Sequence, residues 1–300
     1  MITFILVLFG LVSIYILIPE NIKIAKSVFI KTTLPAANRL LKDESNWALL
    51  LSADSINVLP FNYHYKVENA IMNTLQVLVS NDQRSITSLI SLIPIKTDSI
   101  AIEWNAEINV NFNPIRRIKS YNDANRLEGE MDNILKHLQA FLEKPESVYG
   151  LKIIQQQVAD TILISTKYFS KAIPSTNEIY SQINNLRKYI LKEGGKETNS
   201  PMLNISIDSN RYRTMVALPI NKIIREKDNY VFKRMIPGKI LVAEVKGGDY
   251  TARQALKQLD LYIVDNHLSS PAIPFESLIT NRSLEPDTTK WITKIYYPIY

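Results

Sequence analysis

The chain has 300 residues, 46% of them hydrophobic, and this length allows two domains with packed cores. It contains no cysteine, which excludes disulfides, thiolate zinc sites and cysteine nucleophiles. The formal net charge is +6, and the excess lies in residues 151–300, which carry 21 basic against 14 acidic residues. Because these basic residues are interspersed with acidic ones, we interpret them as a solvated surface and predict no nucleic-acid partner.

Residues 2–18 form an uncharged segment in which 13 positions are Ile, Leu, Val or Phe. This hydropathy is typical of a membrane-spanning helix. A cleaved signal peptide is disfavoured because no basic residue precedes the segment, and a buried helix is the other alternative. Lys23, Lys26 and Lys31 follow the segment, so the positive-inside tendency predicts a single-pass membrane protein, anchored through residues 1–21, whose soluble domains lie in the cytoplasm.

Residues 22–147 form a predicted middle domain. Residues 34–51 indicate a short helix that closes near Asn46 and Trp47. Alternation or β-branched composition indicates strands at 24–30, 76–80, 85–95 and 99–109. A stripe at helical spacing closes the domain, formed by Leu127, Met131, Ile134, Leu135, Leu138, Phe141 and Leu142. We therefore expect a curved antiparallel sheet packed on a long C-terminal helix.

This middle domain resembles the START-like, or SRPBCC, helix-grip superfamily. The resemblance rests on DESNWALLL at 43–51, Trp104 in IEWNAE, NPIRRI at 113–118 and the closing LEGEMDNILKHLQAFLEK. It implies a hydrophobic cavity for lipid or another apolar ligand, and the alternative is a filled core that serves as a spacer. We assign Arg116 and Arg117 to a strand, where neighbours point to opposite faces and arginines are more often surface charges.

Residues 151–300 contain the order strand, helix, strand twice, at 160–205 and at 238–278. In the first copy, Ser175 and Glu178 form a predicted capping box. Its helix has a buried stripe at Ile179, Ile183, Leu186 and Ile190. The second helix follows the Gly247–Gly248 turn and has its own stripe at Ala252, Ala255, Leu256, Leu259 and Ile263. Two such halves bury their apolar faces against each other, which leaves a cleft where they meet.

Glu276 lies in the last strand of the second copy, after Phe275. A carboxylate here either points outward or is a buried charge retained for a ligand, because burial without a partner costs several kcal/mol.

The ordered segments KILVAEVKGGDY, PFESL and KWITKIYYPIY resemble the second half of the GyrI-like small-molecule-binding domains, which also serve AraC-type and MerR-type regulators as effector-binding domains. The resemblance implies a pseudo-two-fold α+β domain at 151–300, with a ligand between the repeats over a buried glutamate and aromatic rings. Glu276, Trp291 and Tyr250 match ligand-binding positions, and we add Tyr168 of the first repeat. Leu278 departs from the pattern, because many members have an aromatic residue there.

Other chemistry has little support in the sequence. His64, His137 and His267 share no metal-ligand spacing, so we predict neither a metal site nor a cofactor. Nucleophile elbows, phosphate-binding loops and a helix-turn-helix segment are not recognisable either.

The sequence thus predicts a membrane-anchored protein that binds or senses a lipophilic or cationic small molecule, because a carboxylate and aromatic faces in an apolar cleft favour an organic cation. Two alternatives stay open. One is a hydrolase of reactive electrophilic natural products, with Glu276 as general base and Glu244 as the nearest second acid. The other is a ligand-independent module that binds or inhibits a protein partner.

Overall fold

The chain divides into two compact units, Met1–Val148 and Tyr149–Tyr300. A computed structural model describes residues 2–43, 45–47, 63–110, 112–159 and 162–300. Part of the predicted segment at 43–51 therefore lies outside the described residues.

The first unit combines a five-stranded antiparallel sheet with one long helix. Its helices are α1 (Ile2–Leu17), α2 (Leu34–Lys42), α3 (Pro114–Leu142) and, at the division between the units, α4 (Pro145–Tyr149). Its strands are β1 (Asn21–Ile30), β2 (His64–Ile71), β3 (Thr74–Asn81), β4 (Arg84–Lys96) and β5 (Ser99–Asn109). The strand order is β1-β5-β4-β3-β2, and every neighbouring pair is antiparallel.

The long helix α3 packs against this sheet through β1 and β5. All the predicted stripe residues of α3 are buried except Phe141, which is half-buried. Trp104 is fully buried and donates from Nε1 to Ser88 Oγ at 2.9 Å, and Ser88 donates in turn to the Val77 carbonyl at 2.9 Å. Because buried polar groups need such partners, the core of this sheet is fixed around Trp104. The predicted antiparallel α+β class is confirmed.

The start of α3 corrects the interpretation of NPIRRI. Asn113 caps the helix by accepting from the backbone N–H groups of Ile115 and Arg116, and Pro114 follows as its first residue, a combination that favours helix initiation. The two arginines therefore lie on a helix and not on a strand. Arg116 is exposed, whereas Arg117 is buried and donates from Nε to the Ile18 carbonyl at 2.8 Å. The prediction of a surface charge is wrong for Arg117.

The predicted membrane span is also wrong. Helix α1 has 16 residues, which is roughly 24 Å at 1.5 Å per residue, against a hydrocarbon thickness of about 30 Å. Within the part of the chain that the structure describes, no helix is both long and apolar enough to cross a bilayer. The chain leaves α1 at Pro19 and enters β1 at Asn21, and Tyr15 donates to the Phe112 carbonyl at 2.7 Å. The predicted localisation as a single-pass membrane protein, anchored through residues 1–21, is wrong with it.

The described residues of the second unit form two α-helices of 17 residues each and one eight-stranded antiparallel sheet. Its elements are β6 (Ile153–Gln157), β7 (Ile162–Ser170), α5 (Thr176–Lys192), β8 (Met202–Asp208), β9 (Arg211–Pro219), β10 (Val231–Arg234), β11 (Lys239–Lys246), α6 (Asp249–Asp265), β12 (Phe275–Leu278), a 3₁₀ turn (Thr288–Lys290) and β13 (Ile292–Ile299). The strand order is β10-β7-β9-β8-β12-β13-β11-β6. The two repeats therefore meet along β8 and β12, where Leu203 lies opposite Glu276 and Met202 lies opposite Ser277.

Both helices of this unit lie on one face of the sheet. The predicted capping box of Ser175 and Glu178 is present on α5, and the predicted stripe of α5 is buried against Leu203. The stripe of α6 packs against Ile295 of β13. Because Leu203 and Ile295 are the two cross-strand partners of Glu276, and directly opposed side chains share a face, Glu276 also points toward the helices. We call this the helix face and the other side the open face.

Candidate functional site

Glu276 occupies the middle of the short strand β12 and is only partly accessible, with 23% of its side chain exposed. Its neighbours Leu203 and Ile295 are apolar and buried. Burial raises the pKa of Glu276 above its ordinary value, and the neighbouring Arg282 guanidinium opposes that shift. The carboxylate is thus a charged group at the edge of an apolar core, and it requires a partner.

Arg282 supplies that partner. Its side chain is 3% exposed, and Nη2 lies 3.3 Å from Glu276 Oε2 while Nη1 lies 2.8 Å from Asp249 Oδ1. Nη2 also donates to Thr293 Oγ1 at 2.8 Å. The guanidinium carbon lies 4.8 Å from the centre of the Trp291 ring, which is the geometry of a cation–π contact. A planar organic cation therefore sits between two carboxylates and an indole, and this cation belongs to the chain itself.

The connection between β12 and β13 holds Arg282 in place. The Arg282 N–H donates to the Tyr180 hydroxyl at 2.8 Å, and that hydroxyl donates to the Thr280 carbonyl at 3.2 Å. Trp291 is buried and donates from Nε1 to the Glu285 carbonyl at 2.8 Å. Helix α5, which carries Tyr180, therefore positions a residue that acts in the second repeat.

The glycine turn before α6 fixes Trp291 from the other side. Gly247 donates its N–H to the Trp291 carbonyl at 2.8 Å. Its φ of +143° is a conformation that residues with a Cβ rarely adopt, and a Cβ here would lie 2.4 Å from Thr251 Oγ1. The same turn delivers Asp249, the first residue of α6, to Arg282.

One donor of Arg282 stays unused. Its Nε is buried and has no hydrogen-bond partner among the described residues. An unsatisfied buried donor costs about 1–3 kcal/mol. The site therefore supplies negative charge and an aromatic face to the guanidinium, but it supplies no acceptor for the Nε donor of Arg282.

The structure separates the residues that the resemblance had grouped. Glu276 and Trp291 both contact Arg282, whereas Tyr250 is 69% exposed on α6. Tyr168 is half-buried on β7 opposite Thr214, within the first repeat, and burial raises its pKa.

Glu244, the second acid of the hydrolase hypothesis, lies away from this group. It is exposed, 3.6 Å from Lys294 Nζ, and its chain neighbour Ala243 is buried on the helix face, so Glu244 points to the open face. The acid that shares a partner with Glu276 is Asp249.

Sequence reasoning missed Arg282 and Asp249. Asp249 has the position of an ordinary acidic residue in the first turn of a helix. Arg282 lies in a connection without periodicity, so neither spacing nor amphipathicity marks it. One chemical signal was available. A carboxylate expected in an apolar cleft beside a tryptophan requires a cation, and this requirement could have directed attention to the arginines near Glu276.

No family model matches the chain, and no curated protein matches it. Solved structures similar to it include the EcmrR C-terminal domain, with 17% identity over 50% of this chain and 98% of that chain and a TM-score of 0.43. Another is SAV2435 bound to tetraphenylphosphonium, with 16% identity over 50% of this chain and 94% of that chain and a TM-score of 0.32.

A START superfamily protein from Mycobacterium smegmatis is similar at 11% identity over 40% of this chain and 97% of that chain, with a TM-score of 0.29. At these identities and TM-scores, the ligand chemistry of this chain has to be inferred from its own side chains.

Proposed function

We propose that the C-terminal unit binds small organic cations at the position that Arg282 occupies, and that ligand binding exchanges Arg282 for the ligand. The observation that carries this proposal is the 3% exposed guanidinium held by Glu276, Asp249 and the Trp291 ring. Surroundings that accept one flat, delocalised cation suit other cations with the same charge and weak hydration.

Charge decides which ligands can take part in the exchange. Removing one member of a buried ion pair costs about 3–5 kcal/mol because the other charge is left without a partner. A cationic ligand that replaces Arg282 keeps Glu276 neutralised and avoids this cost. A neutral or anionic molecule would leave Glu276 without a positive partner. The charge of a ligand is therefore the first requirement for binding, and its shape is the second.

The unused Nε of Arg282 favours an exchange over a permanent structural pair. The bound arginine leaves one donor unsatisfied, which lowers the free energy that holds it in the site. A cation without a buried N–H at this point avoids that loss. Arg282 therefore acts as a tethered competitor that a better-matched cation can displace.

The exchange would also make the protein a sensor. Arg282 is attached to the connection at 279–291, whose backbone is bound to Tyr180 of α5 and whose Trp291 is bound to Gly247 before α6. Displacing the Arg282 side chain breaks its contacts with Asp249, Glu276 and Thr293 of the second repeat, next to a backbone N–H that is bound to Tyr180 of the first. Ligand occupancy is in this way coupled to the conformation of one defined segment.

A calorimetric titration with tetraphenylphosphonium tests the proposal, with neutral triphenylphosphine oxide as the uncharged control. Wild type is expected to bind the cation only. Arg282→Ala is expected to bind it at least about tenfold more tightly, because the competitor is gone, and adding Glu276→Gln is expected to remove the gain. Arg213→Ala, at a half-exposed ion pair with Asp208, is the matched control. Equal affinities of wild type and Arg282→Ala would contradict the exchange.

A further inference from the structure

A groove of about 610 Å³ lies on the open face of the second unit, on the side of the sheet opposite to the Glu276 side chain. Its floor is formed by Leu163, Met202 and Ala217 of β7, β8 and β9. Two loops, at 235–238 and 271–274, form its walls. Phe275 points into this side while the next residue, Glu276, points to the helices, so the groove and the Arg282 site lie on opposite faces of one sheet.

The groove is largely preformed. Asn204 donates from Nδ2 to the Pro274 carbonyl at 2.9 Å, which ties one wall to β8. The Gly238 carbonyl accepts from the Val158 N–H at 2.9 Å, which ties the other wall to the chain after β6. Phe275 stacks on Tyr296 with ring centres 5.1 Å apart. The volume lies in the range of small-molecule sites, and a preformed site avoids the cost of ordering on binding.

The lining is largely apolar, and the charged side chains in it are all cationic. Three methionines, Met202, Met215 and Met235, contribute adaptable apolar surface. Three charged residues line the groove, Lys233, Arg234 and Lys239, and we call them its cationic rim. All three are exposed, none is ion-paired with an acid in the described part of the chain, and the described lining includes no Asp or Glu. Lys233 Nζ lies 3.5 Å from Met215 Sδ, which places its charge at the apolar surface.

We propose that this groove binds a single-chain amphipathic carboxylate of the fatty-acid class. The alkyl chain would lie on the methionines and the proline-containing walls, where burial of apolar area drives binding. The carboxylate would face the cationic rim, where it completes charges that lack acidic partners. An apolar cation would meet three like charges instead, so this site and the Arg282 site select ligands of opposite sign.

The full-length protein can be tested by calorimetry with monomeric dodecanoate, with dodecyltrimethylammonium as a probe of equal chain length and opposite charge. Lys233→Ala/Arg234→Ala/Lys239→Ala removes the rim charge. The matched control is Lys188→Ala/Lys192→Ala/Lys257→Ala, which removes three exposed lysines from the helices and changes the net charge equally. Ile273→Ser, at a half-exposed residue of one wall, tests the apolar contribution without adding a charge or altering the core.

We expect wild type to bind dodecanoate at least tenfold more tightly than dodecyltrimethylammonium. The rim variant should lose roughly tenfold in dodecanoate affinity, since each exposed charge contributes modestly, and added salt should weaken wild-type binding. Ile273→Ser should also bind more weakly, whereas the lysine control should bind as wild type does. Equal binding of the two probes, an equal loss in the lysine control, or binding to intact anionic phosphatidylglycerol vesicles without binding of monomeric dodecanoate would overturn the proposal.

Discussion

The two repeats of the C-terminal unit have the same architecture and differ at one decisive position. Helices α5 and α6 each have 17 residues, and β8 and β12 begin at the same distance in sequence after the start of their helix. Leu203 and Glu276 are therefore equivalent residues, and they also lie directly opposite each other where the repeats meet. One is buried in an apolar core, and the other is a carboxylate bound to Arg282.

This difference distinguishes a residue that the fold requires, Leu203, from a residue that only the site requires, Glu276. A leucine at this position satisfies the packing of β8, so nothing in the architecture requires a charge at the equivalent position of β12. The first turns of the two helices also differ between a residue that stabilises the fold and a residue that belongs to the site. Ser175 caps α5, whereas α6 begins after Gly248 without a side-chain cap, and its Asp249 binds Arg282 instead. The second repeat thus carries polar residues that serve a local charge cluster.

The largest effect is expected when the first repeat receives the acid of the second. Leu203→Glu places a carboxylate in an apolar core directly opposite Glu276, without a cation to bind it. We expect a loss of about 4 kcal/mol or more in the free energy of unfolding, measured by urea denaturation. Leu203→Met, the apolar control, should lose less than about 1.5 kcal/mol. A stable Leu203→Glu protein would show that this boundary is open to water.

Removing the cation of the second repeat should have the next largest effect. Arg282→Ala leaves Glu276 and Asp249 facing each other without neutralisation. We expect a loss of about 3 kcal/mol in the free energy of unfolding. The same measurement on Arg213→Ala, at a half-exposed ion pair, should show at most about 1 kcal/mol. Similar losses in the two variants would mean that Arg282 is an ordinary surface charge.

The raised pKa of Glu276 predicts that the stability of the protein depends on pH. The equivalent residue of the first repeat, Leu203, is not ionisable and makes no such contribution. Because the folded state raises this pKa above its ordinary value of 4.5, the contribution of Glu276 to stability is full below that value and is lost as the pH rises through the folded pKa. Arg282 and Arg253 oppose the shift and Asp249 supports it.

Unfolding free energies of Glu276→Gln should therefore change less between pH 4.5 and 7 than those of wild type. Glu244→Gln, at an exposed acid, is the control. If the unfolding free energy of Glu276→Gln changed with pH as steeply as that of wild type, folding would leave the pKa of Glu276 unchanged.

The smallest effect concerns the helix starts. Ser175→Ala removes the hydroxyl that accepts from the Glu178 N–H on α5, and we expect a loss of about 1 kcal/mol. Thermal unfolding measures this loss, and Ser175→Thr, which keeps a hydroxyl, should retain most of the stability. A loss in Ser175→Thr as large as that in Ser175→Ala would indicate that the cap is not what Ser175 contributes.

Much of the fold was predictable because local periodicity reflects local burial. The stripes of α5 and α6, the capping box at Ser175 and the strands β7, β8, β11 and β12 follow from local sequence patterns, whereas β6, β9 and β10 were not predicted. The errors have physical causes too. Asn113 and Pro114 start a helix that an assignment to a strand overlooked, and α1 is apolar but shorter than a bilayer requires.

The site was only partly predictable. Glu276 and Trp291 were identified through a resemblance, whereas Arg282 was missed because its contacts join a connection, two helices and a strand that are distant in sequence. Tyr250 has the expected position after the glycine turn, yet its place on the outer side of α6 leaves it exposed. Residues whose role depends on long-range contacts leave no periodic trace in the sequence.

Calorimetric titration of Arg282→Ala with ethylguanidinium tests the central claim most directly, because this small molecule replaces the atoms that the substitution removes. We expect binding of ethylguanidinium, no binding of its neutral analogue ethylurea, and loss of ethylguanidinium binding when Glu276→Gln is added. Equal binding of the cation and the neutral analogue, or binding of neither, would contradict the claim that Glu276 and Trp291 form a site for organic cations.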